Sequence, residues 1–275
     1  MQQPYPSQIV LIAGRGDYPA LTIRAARERG VERIEVIAFK GETRRKDVDQ
    51  ADQIHWVPLG GLSALKEVVR QIGIPDGLFV GQVAPRHIFN LHLDAAAKAL
   101  LQKLPVVNTH SILHALIDEL TACGMRMLPA HLFLQEHMPN AGGLTKAPIS
   151  KQQRADAQIG MDYIRAQSRF DVGQTVVVKA GYILAVEAVE GTDRTLLRAA
   201  KYGGRGAVVV KMPKEGHDER FDIPVIGLKT IKVMRRIGAQ CLVVQAKGCL
   251  IFDFPRVREL ADAAGIVIHA MEPPA

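Results

Sequence analysis

Aromatic residues make up only 5% of this 275-residue chain, and there is a single tryptophan. No basic run is interleaved with them, so a surface that stacks on bases has few candidate residues and nucleic acid is not an expected partner. Cysteine is scarce as well: Cys123, Cys241 and Cys249 are scattered, odd in number and without CxxC spacing. That argues against a disulfide framework or a cysteine zinc cage and fits a reducing compartment. Residues 1–7 lack the basic and apolar regions of a signal peptide, and no apolar run reaches bilayer-spanning length. The expectation is a cytoplasmic protein. No GxSxG, HExxH or Cys/His arrangement stands out, so covalent nucleophilic catalysis has no named candidate. His110 and His114 are spaced i, i+4 on an expected helix, but no third ligand stands near them in sequence, which favours a structural role.

What is present points to an ordinary folded enzyme. Apolar residues at 48% suffice for buried cores, and the length exceeds one average domain, so two are expected. The formal charge of +7 favours anionic partners: nucleic acid, an acidic membrane surface or a phosphorylated small molecule, the last gaining most from the shortage of aromatics.

The first half alternates strands and helices. Apolar runs at 9–13 (IVLIA), 34–38 and 77–80 read as buried parallel strands, with a further short strand at 106–107. Between them, helices are expected over 19–29, opened by Pro19 and stopped by Gly30, then over 62–72, 94–104 and 111–122. This alternation predicts a parallel sheet. Residues 136–150 (EHMPNAGGLTKAPIS) are rich in Pro and Gly without periodicity and are placed as the linker. The second half predicts a helix over 151–167, a hairpin of strands 175–178 and 183–189, a helix from Thr192, and a strand over 207–211. Then follow a helix after Gly227, strands near 242–244 and 250–252, and a last helix and strand over 255–268. The fold class is therefore α/β: a Rossmann-like parallel-sheet domain over 1–135, the linker, and a distinct α/β domain with a mixed sheet over 151–275.

Three groups of residues carry candidate chemistry. Gly14-Arg15-Gly16-Asp17 joins the first strand to the first helix, where glycines let backbone approach a phosphate and the helix terminus offers unpaired N–H groups. The third glycine of a dinucleotide fingerprint is replaced by Pro19, and the second strand ends in Ala38-Phe39-Lys40 with no acid for a ribose, which disfavours NAD. Gly81-Gln82-Val83 ends another parallel strand and could face the same crevice, or be a plain turn. Acids gather at the ends of apolar strands in the second half: Asp171, Glu187, Glu190, Asp193, Asp218 and Asp222. One or two of them with substrate phosphates would suit Mg²⁺, although such an acid taken alone is more often a solvated side chain. Asp222, between Phe221 and Ile223-Pro224, suits a metal ligand or general base, and Lys211 and Lys214 a role in neutralising a pyrophosphate.

Several stretches resemble a known family. These are IVLIAGRGDYPALTIRAARERG at the start, KGET at 40–43, HWVPLG at 55–60, Gly81-Gln82-Val83, LTKAPIS with Thr145, DVGQTVVVKAGYILAVEAVEGTD over 171–193, VVVKMPK, and RFDIPVIGLKT over 220–230. In this order along nearly the whole chain they resemble the LpxI-type UDP-2,3-diacylglucosamine pyrophosphatases. The resemblance implies a Mg²⁺-dependent hydrolase of lipid A biosynthesis. It would split an acylated UDP-glucosamine into UMP and 2,3-diacylglucosamine 1-phosphate by water attack on the sugar-side phosphorus. It implies a Rossmann-like domain and a distinctive second domain with substrate between them, and transient contact with the inner-membrane surface; a homodimer is compatible with it. The essential aspartate of the RFDIP motif would be Asp222, with Asp171, Glu190 and Asp193 as further metal candidates. Gly14, Gly16, Asp17, Gly81, Gln82, Val83, Thr145, Gly173, Gln174, Glu187, Gly191, Thr192 and Lys211 would contact substrate. Two positions depart from the family pattern: Asn108-Thr109-His110-Ser111 stands where relatives often carry acids, and Gln82 where a lysine is common. A nicotinamide-linked oxidoreductase and a non-catalytic lipid- or nucleotide-binding protein are the rival expectations.

Overall fold

A computed structural model of the chain describes residues 5–83, 91–221 and 223–273. These residues form two compact units. The first is built from residues up to Leu134 together with Glu219–Phe221, and the second from Gln135–Asp218 and everything after position 221.

The first unit is a five-stranded sheet in the order β3-β2-β1-β4-β5, comprising β1 (Gln8–Ala13), β2 (Arg33–Lys40), β3 (Gln53–Pro58), β4 (Asp76–Val80) and β5 (Arg126–Met127), all parallel. β1 and β2 are buried along their apolar lengths. A strand in the middle of a parallel sheet is covered on both faces, which is why these runs are continuously apolar rather than alternating. Val10, Ile12, Ile37 and Phe39 share one face with Leu65 and Val69 of α2 (Leu62–Ile72) and with Ile117 and Leu120 of α4 (Thr109–Thr121). α1 (Asp17–Glu28) follows β1, and α3 (Ala95–Gln102) is capped by the Asp94 carboxylate, which accepts from the Ala97 amide at 2.8 Å.

Two features of this unit depart from expectation. Val106 and Val107 do not form a strand; they are 61% and 57% exposed, and Arg126–Met127 takes the sheet edge by pairing with Asp76 and Gly77. Two apolar residues with no partner strand have nothing to hold them extended. β3, hidden in the motif QIHWVP by its polar and aromatic mixture, is an additional edge strand.

The second unit is a six-stranded mixed sheet in the order β6-β13-β11-β9-β7-β8. Its parallel centre is β9 (Val208–Lys211), β11 (Cys241–Gln245) and β13 (Val267–Met271). Antiparallel β7 (Thr175–Lys179) and β8 (Tyr182–Val186) extend one side, and β6 (Gly142–Gly143) the other. The segment expected as a linker thus contributes a strand to this sheet. One face, with Val177, Val209, Leu242 and Ile268, is covered by α6 (Thr192–Ala200), α7 (Leu228–Ile237) and α8 (Phe254–Ala263). The other, with Val176, Val178, Val210 and Val243, is covered by α5 (Lys151–Gln167). α5 comes close because Gly160 has no side chain: a Cβ there would lie 2.6 Å from Val210 Cγ2. Its Asp156 is buried and accepts from the amides of Ala180 and Gly181, both at 2.8 Å, pinning the β7–β8 turn whose two residues have φ of 49° and 86°. The remaining pair, β10 (Val225–Ile226) and β12 (Leu250–Ile251), forms a separate two-stranded ladder. Among the described residues, no helix is long and apolar enough to cross a membrane.

Candidate active site

In the first unit the strand order reverses between β1 and β4, the place where open α/β sheets bind ligands at the carboxyl ends of their strands. The two glycine turns meet there. Gly14 donates its amide to the Val80 carbonyl at 2.8 Å, and Arg15 and Gln82 exchange backbone hydrogen bonds of 2.9 and 3.0 Å. A Cβ on Gly14 would lie 2.4 Å from the Gln82 carbonyl oxygen, and Gly81 sits at φ +87° with its Cβ position 2.9 Å from the Arg15 carbonyl. These glycines are therefore required by the contact of one turn with the other. Gly16, at φ 101°, opens α1, and its amide donates to Asp47 Oδ2 at 3.1 Å. Asp47 is buried and takes Arg44 at 2.8 Å, while Arg15 reaches the buried Glu42 at 3.3 Å. The amide that a dinucleotide fold would present to a phosphate is thus occupied by a carboxylate of the chain itself, and Asp17 adds a second acid to the first turn of α1. Val83 is exposed beside this turn. Nothing here favours a nicotinamide cofactor.

The second unit holds the denser polar cluster, at the carboxyl end of β9. Thr175 begins β7 directly across from Lys211, which ends β9. Lys211 Nζ donates to Thr175 Oγ1 at 3.1 Å and to Thr192 Oγ1 at 2.8 Å; Thr192 in turn donates to Glu187 Oε1 at 2.9 Å. The ammonium lies 3.7 Å from Glu187 Oε2, an oxygen that is buried and accepts no hydrogen bond from the described residues. Gly173 makes room for Glu187, since its Cβ would fall 2.4 Å from Glu187 Cγ, and it donates its amide to the Glu187 carbonyl at 3.1 Å. The carbonyl of Gln174 accepts from Met212 at 3.1 Å, tying the same turn to the strand end that bears Lys211. Gly191, at φ 80°, precedes Thr192 and offers no side chain to cap the first turn of α6. A buried ammonium and a threonine hydroxyl beside the N-terminus of α6 thus surround a carboxylate of the chain itself, Glu187. Thr145 is not part of this group: its hydroxyl accepts from the Ile268 amide at 2.9 Å on β13, two strands from β9.

Four of the six strand-end acids are each matched to a separate cation. Asp171, at φ 52°, pairs closely with Lys214; Glu187 stands by Lys211; Glu190 pairs with Arg198 at 2.6 Å and Asp193 with Lys229 at 2.5 Å. Burial raises the Glu190 carboxyl, but Arg198, with help from Thr195, outweighs it and holds the group below the usual glutamate range. Among the described residues no three His, Cys, Asp or Glu side chains converge on a point that could hold a metal. A divalent ion at any of these four acids would have to displace its ammonium or guanidinium. Asp222 lies outside the described residues.

Thr175, Asp47, Arg198 and Lys229 had no signal in the sequence. Thr175 and Lys211 are 36 residues apart and meet only through antiparallel register.

These features define a two-unit α/β protein whose second unit carries a lysine-centred polar cradle at a strand end. Residues 8–137 match the LpxI N-terminal domain and residues 140–269 the LpxI C-terminal domain. A relative from Caulobacter vibrioides, UDP-2,3-diacylglucosamine pyrophosphatase LpxI, is 30% identical over 278 residues, covering 96% of this chain and 97% of that protein. The chain belongs to the LpxI family.

Proposed function

We propose that this chain hydrolyses the diphosphate of UDP-2,3-diacylglucosamine, giving UMP and 2,3-diacylglucosamine 1-phosphate. The end-to-end likeness to a relative that bears that activity in its name carries the reading. The Lys211 cradle supports it, because phosphoryl transfer places charge on the non-bridging oxygens, and donors fixed beforehand stabilise that charge best. In this reading a phosphate oxygen takes the place of a threonine hydroxyl on Lys211 Nζ. Water attacks the sugar-side phosphorus, its oxygen stays on the sugar phosphate, the bridging bond breaks and UMP leaves. Asp222 either helps bind the metal or takes the water's proton.

The described carboxylates fit cation-paired positions rather than a metal site. The ion expected with the diphosphate, Mg²⁺, would therefore have Asp222 and the substrate's own phosphate oxygens as its ligands, and would supply Lewis-acid charge neutralisation. The substrate's acyl chains and the net charge of +7 favour transient contact with an anionic inner-membrane surface.

The test is UMP release by the purified full chain from the acylated UDP-sugar in ¹⁸O-water with Mg²⁺. The expected result is turnover with the label in the sugar 1-phosphate. No turnover rejects the reaction; label in UMP rejects the site of attack.

A further inference from the structure

α7 carries Lys229, Lys232, Arg235 and Arg236 and no acid. All four are exposed, while Ile231, Met234 and Ile237 turn into the core of the second unit. With 3.6 residues per turn, these cations share about one third of the helix circumference. α6 packs beside α7 in the same layer and repeats the pattern. Arg194, Arg198 and, just past the helix end, Lys201 are exposed on one side, with Thr195, Leu196 and Ala199 buried on the other. Both helices cover one face of the sheet, so their outer sides face the same way.

Pairing within the chain neutralises little of this charge. Lys229 meets Asp193 and Arg198 meets Glu190, but Arg194, Lys201, Lys232, Arg235 and Arg236 form no ion pair with a described residue. α8, next in the layer, differs: its Arg256 and Arg258 each have a carboxylate, Asp253 at 3.2 Å and Asp262 at 3.8 Å. Apolar side chains stand among the cations. Leu197, on the side of α6 that bears Arg194 and Arg198, is 37% exposed, and Tyr202 is 68% exposed. Tyr182, 76% exposed, lies opposite Lys179 across the β7–β8 pair and so projects to the same side of the sheet. Lys179 Nζ donates to the Gly203 carbonyl at 3.1 Å, which brings Tyr182 to the Tyr202 end of α6. An anionic bilayer attracts Lys and Arg and accepts Tyr and Leu at its head-group level. A nucleic acid duplex would use the cations but gain little from Leu197.

We propose that the outer sides of α6 and α7 form the surface by which this chain docks on an anionic phospholipid bilayer. The choice of a bilayer over other polyanions rests in part on the acylated substrate of the proposed hydrolysis. Thr192, which accepts from Lys211 in the cradle, opens α6, and the nine residues of that helix span about 14 Å. Docking on this side keeps the cradle within about one helix length of the lipid plane, in reach of a head group whose acyl chains stay in the bilayer.

Co-sedimentation of the full chain with phosphatidylcholine vesicles, with and without about one third phosphatidylglycerol, tests it. Binding is expected to the anionic vesicles alone and to fade by about 0.5 M salt. Lys232→Glu with Arg236→Glu should weaken it by more than about tenfold. The same change of net charge on α3, Lys98→Glu with Lys103→Glu, should leave it within about threefold of wild type. Tyr202→Trp, made with Trp56→Phe, should shift its emission to the blue on anionic vesicles only. Equal loss in both double variants, no blue shift, or tighter binding to a DNA duplex than to vesicles at equal phosphate concentration overturns the proposal. UMP release from detergent-dispersed substrate should be the same in Lys232→Glu/Arg236→Glu as in wild type; a loss there as large as the loss of vesicle binding also overturns it. Vesicle binding by this face in a wild-type protein that releases no UMP would uphold the docking surface and reject the hydrolysis.

Discussion

Replacing Lys211 by methionine removes the ammonium but keeps most of the side-chain volume, and leaves Glu187 buried without its cation. The two side chains are 9% and 12% exposed, so solvent screens the pair little. At 3.7 Å and an effective dielectric near 20 their attraction is about 4 kcal/mol, partly offset by the desolvation of both groups. Removing one partner of a buried pair costs about 3–5 kcal/mol; the distance exceeds hydrogen-bonding range, which favours the lower end, about 3 kcal/mol. For a unit of this size that lowers the midpoint of its thermal transition by about 10 °C. Lys211→Met with Glu187→Gln deletes both charges, and the double variant should recover to within about 1 kcal/mol of wild type. Turnover should not recover, because the phosphate donor is still missing; a loss of about 10²-fold or more is expected in both variants. Calorimetric melting beside UMP release reads both quantities. If the single variant melts like wild type, the buried pair is not the constraint described. If it turns over within about fivefold of wild type, Lys211 is not a donor to the diphosphate.

Asp156→Ala leaves two turn amides without their acceptor and should destabilise by about 3 kcal/mol, measured by urea unfolding, with Asp156→Asn less affected because it keeps one acceptor oxygen. Gly160→Ala forces a methyl to within 2.6 Å of Val210 Cγ2 and should cost about 1–3 kcal/mol in the same assay, by lifting α5 from the sheet. Cys241 and Cys249 are buried and their thiols are pushed up to about 12, so a thiol reagent should find only Cys123 in the native chain and all three after denaturation. Glu190 is held below the usual glutamate value in the folded chain, so its contribution is complete above the unfolded pKa of about 4.3 and fades as pH falls through the lower folded value. Acid unfolding of Arg198→Met should therefore show a shallower loss over that range than wild type.

Much of the fold was legible because burial writes itself into hydropathy. The continuous apolar runs of β1, β2 and β9, and the helices Leu62–Ile72 and Lys151–Gln167, follow from sequence at their observed limits or close to them. What escaped was set by tertiary pairing. Val106-Val107 looks more strand-like than Arg126-Met127, yet only the latter has a neighbour with free edge groups, at Asp76 and Gly77. The candidate site shows the same division. Lys211 and Glu187 stand out in the sequence by themselves, Gly173, Gln174 and the substrate role of Thr192 only through the family resemblance, and all five gather, but Thr175 joins them through register alone. In GRGD the sequence suggests backbone freed to approach a phosphate, whereas Gly14 is used against the Gln82 carbonyl, a contact fixed only when the two turns meet.

The membership of Glu219–Phe221 in the first unit bears on how the chain is made. A ribosome releases residues 1–134 first, yet the strap that hydrogen-bonds Ala130 and rests the Phe221 ring on the imidazoles of His110 and His114 emerges only after 135–218 have been synthesised. Nascent chains stalled before position 219 should present that bare shelf to chaperones, and a fragment cut at the apparent midpoint should be stickier than either half of the intact protein.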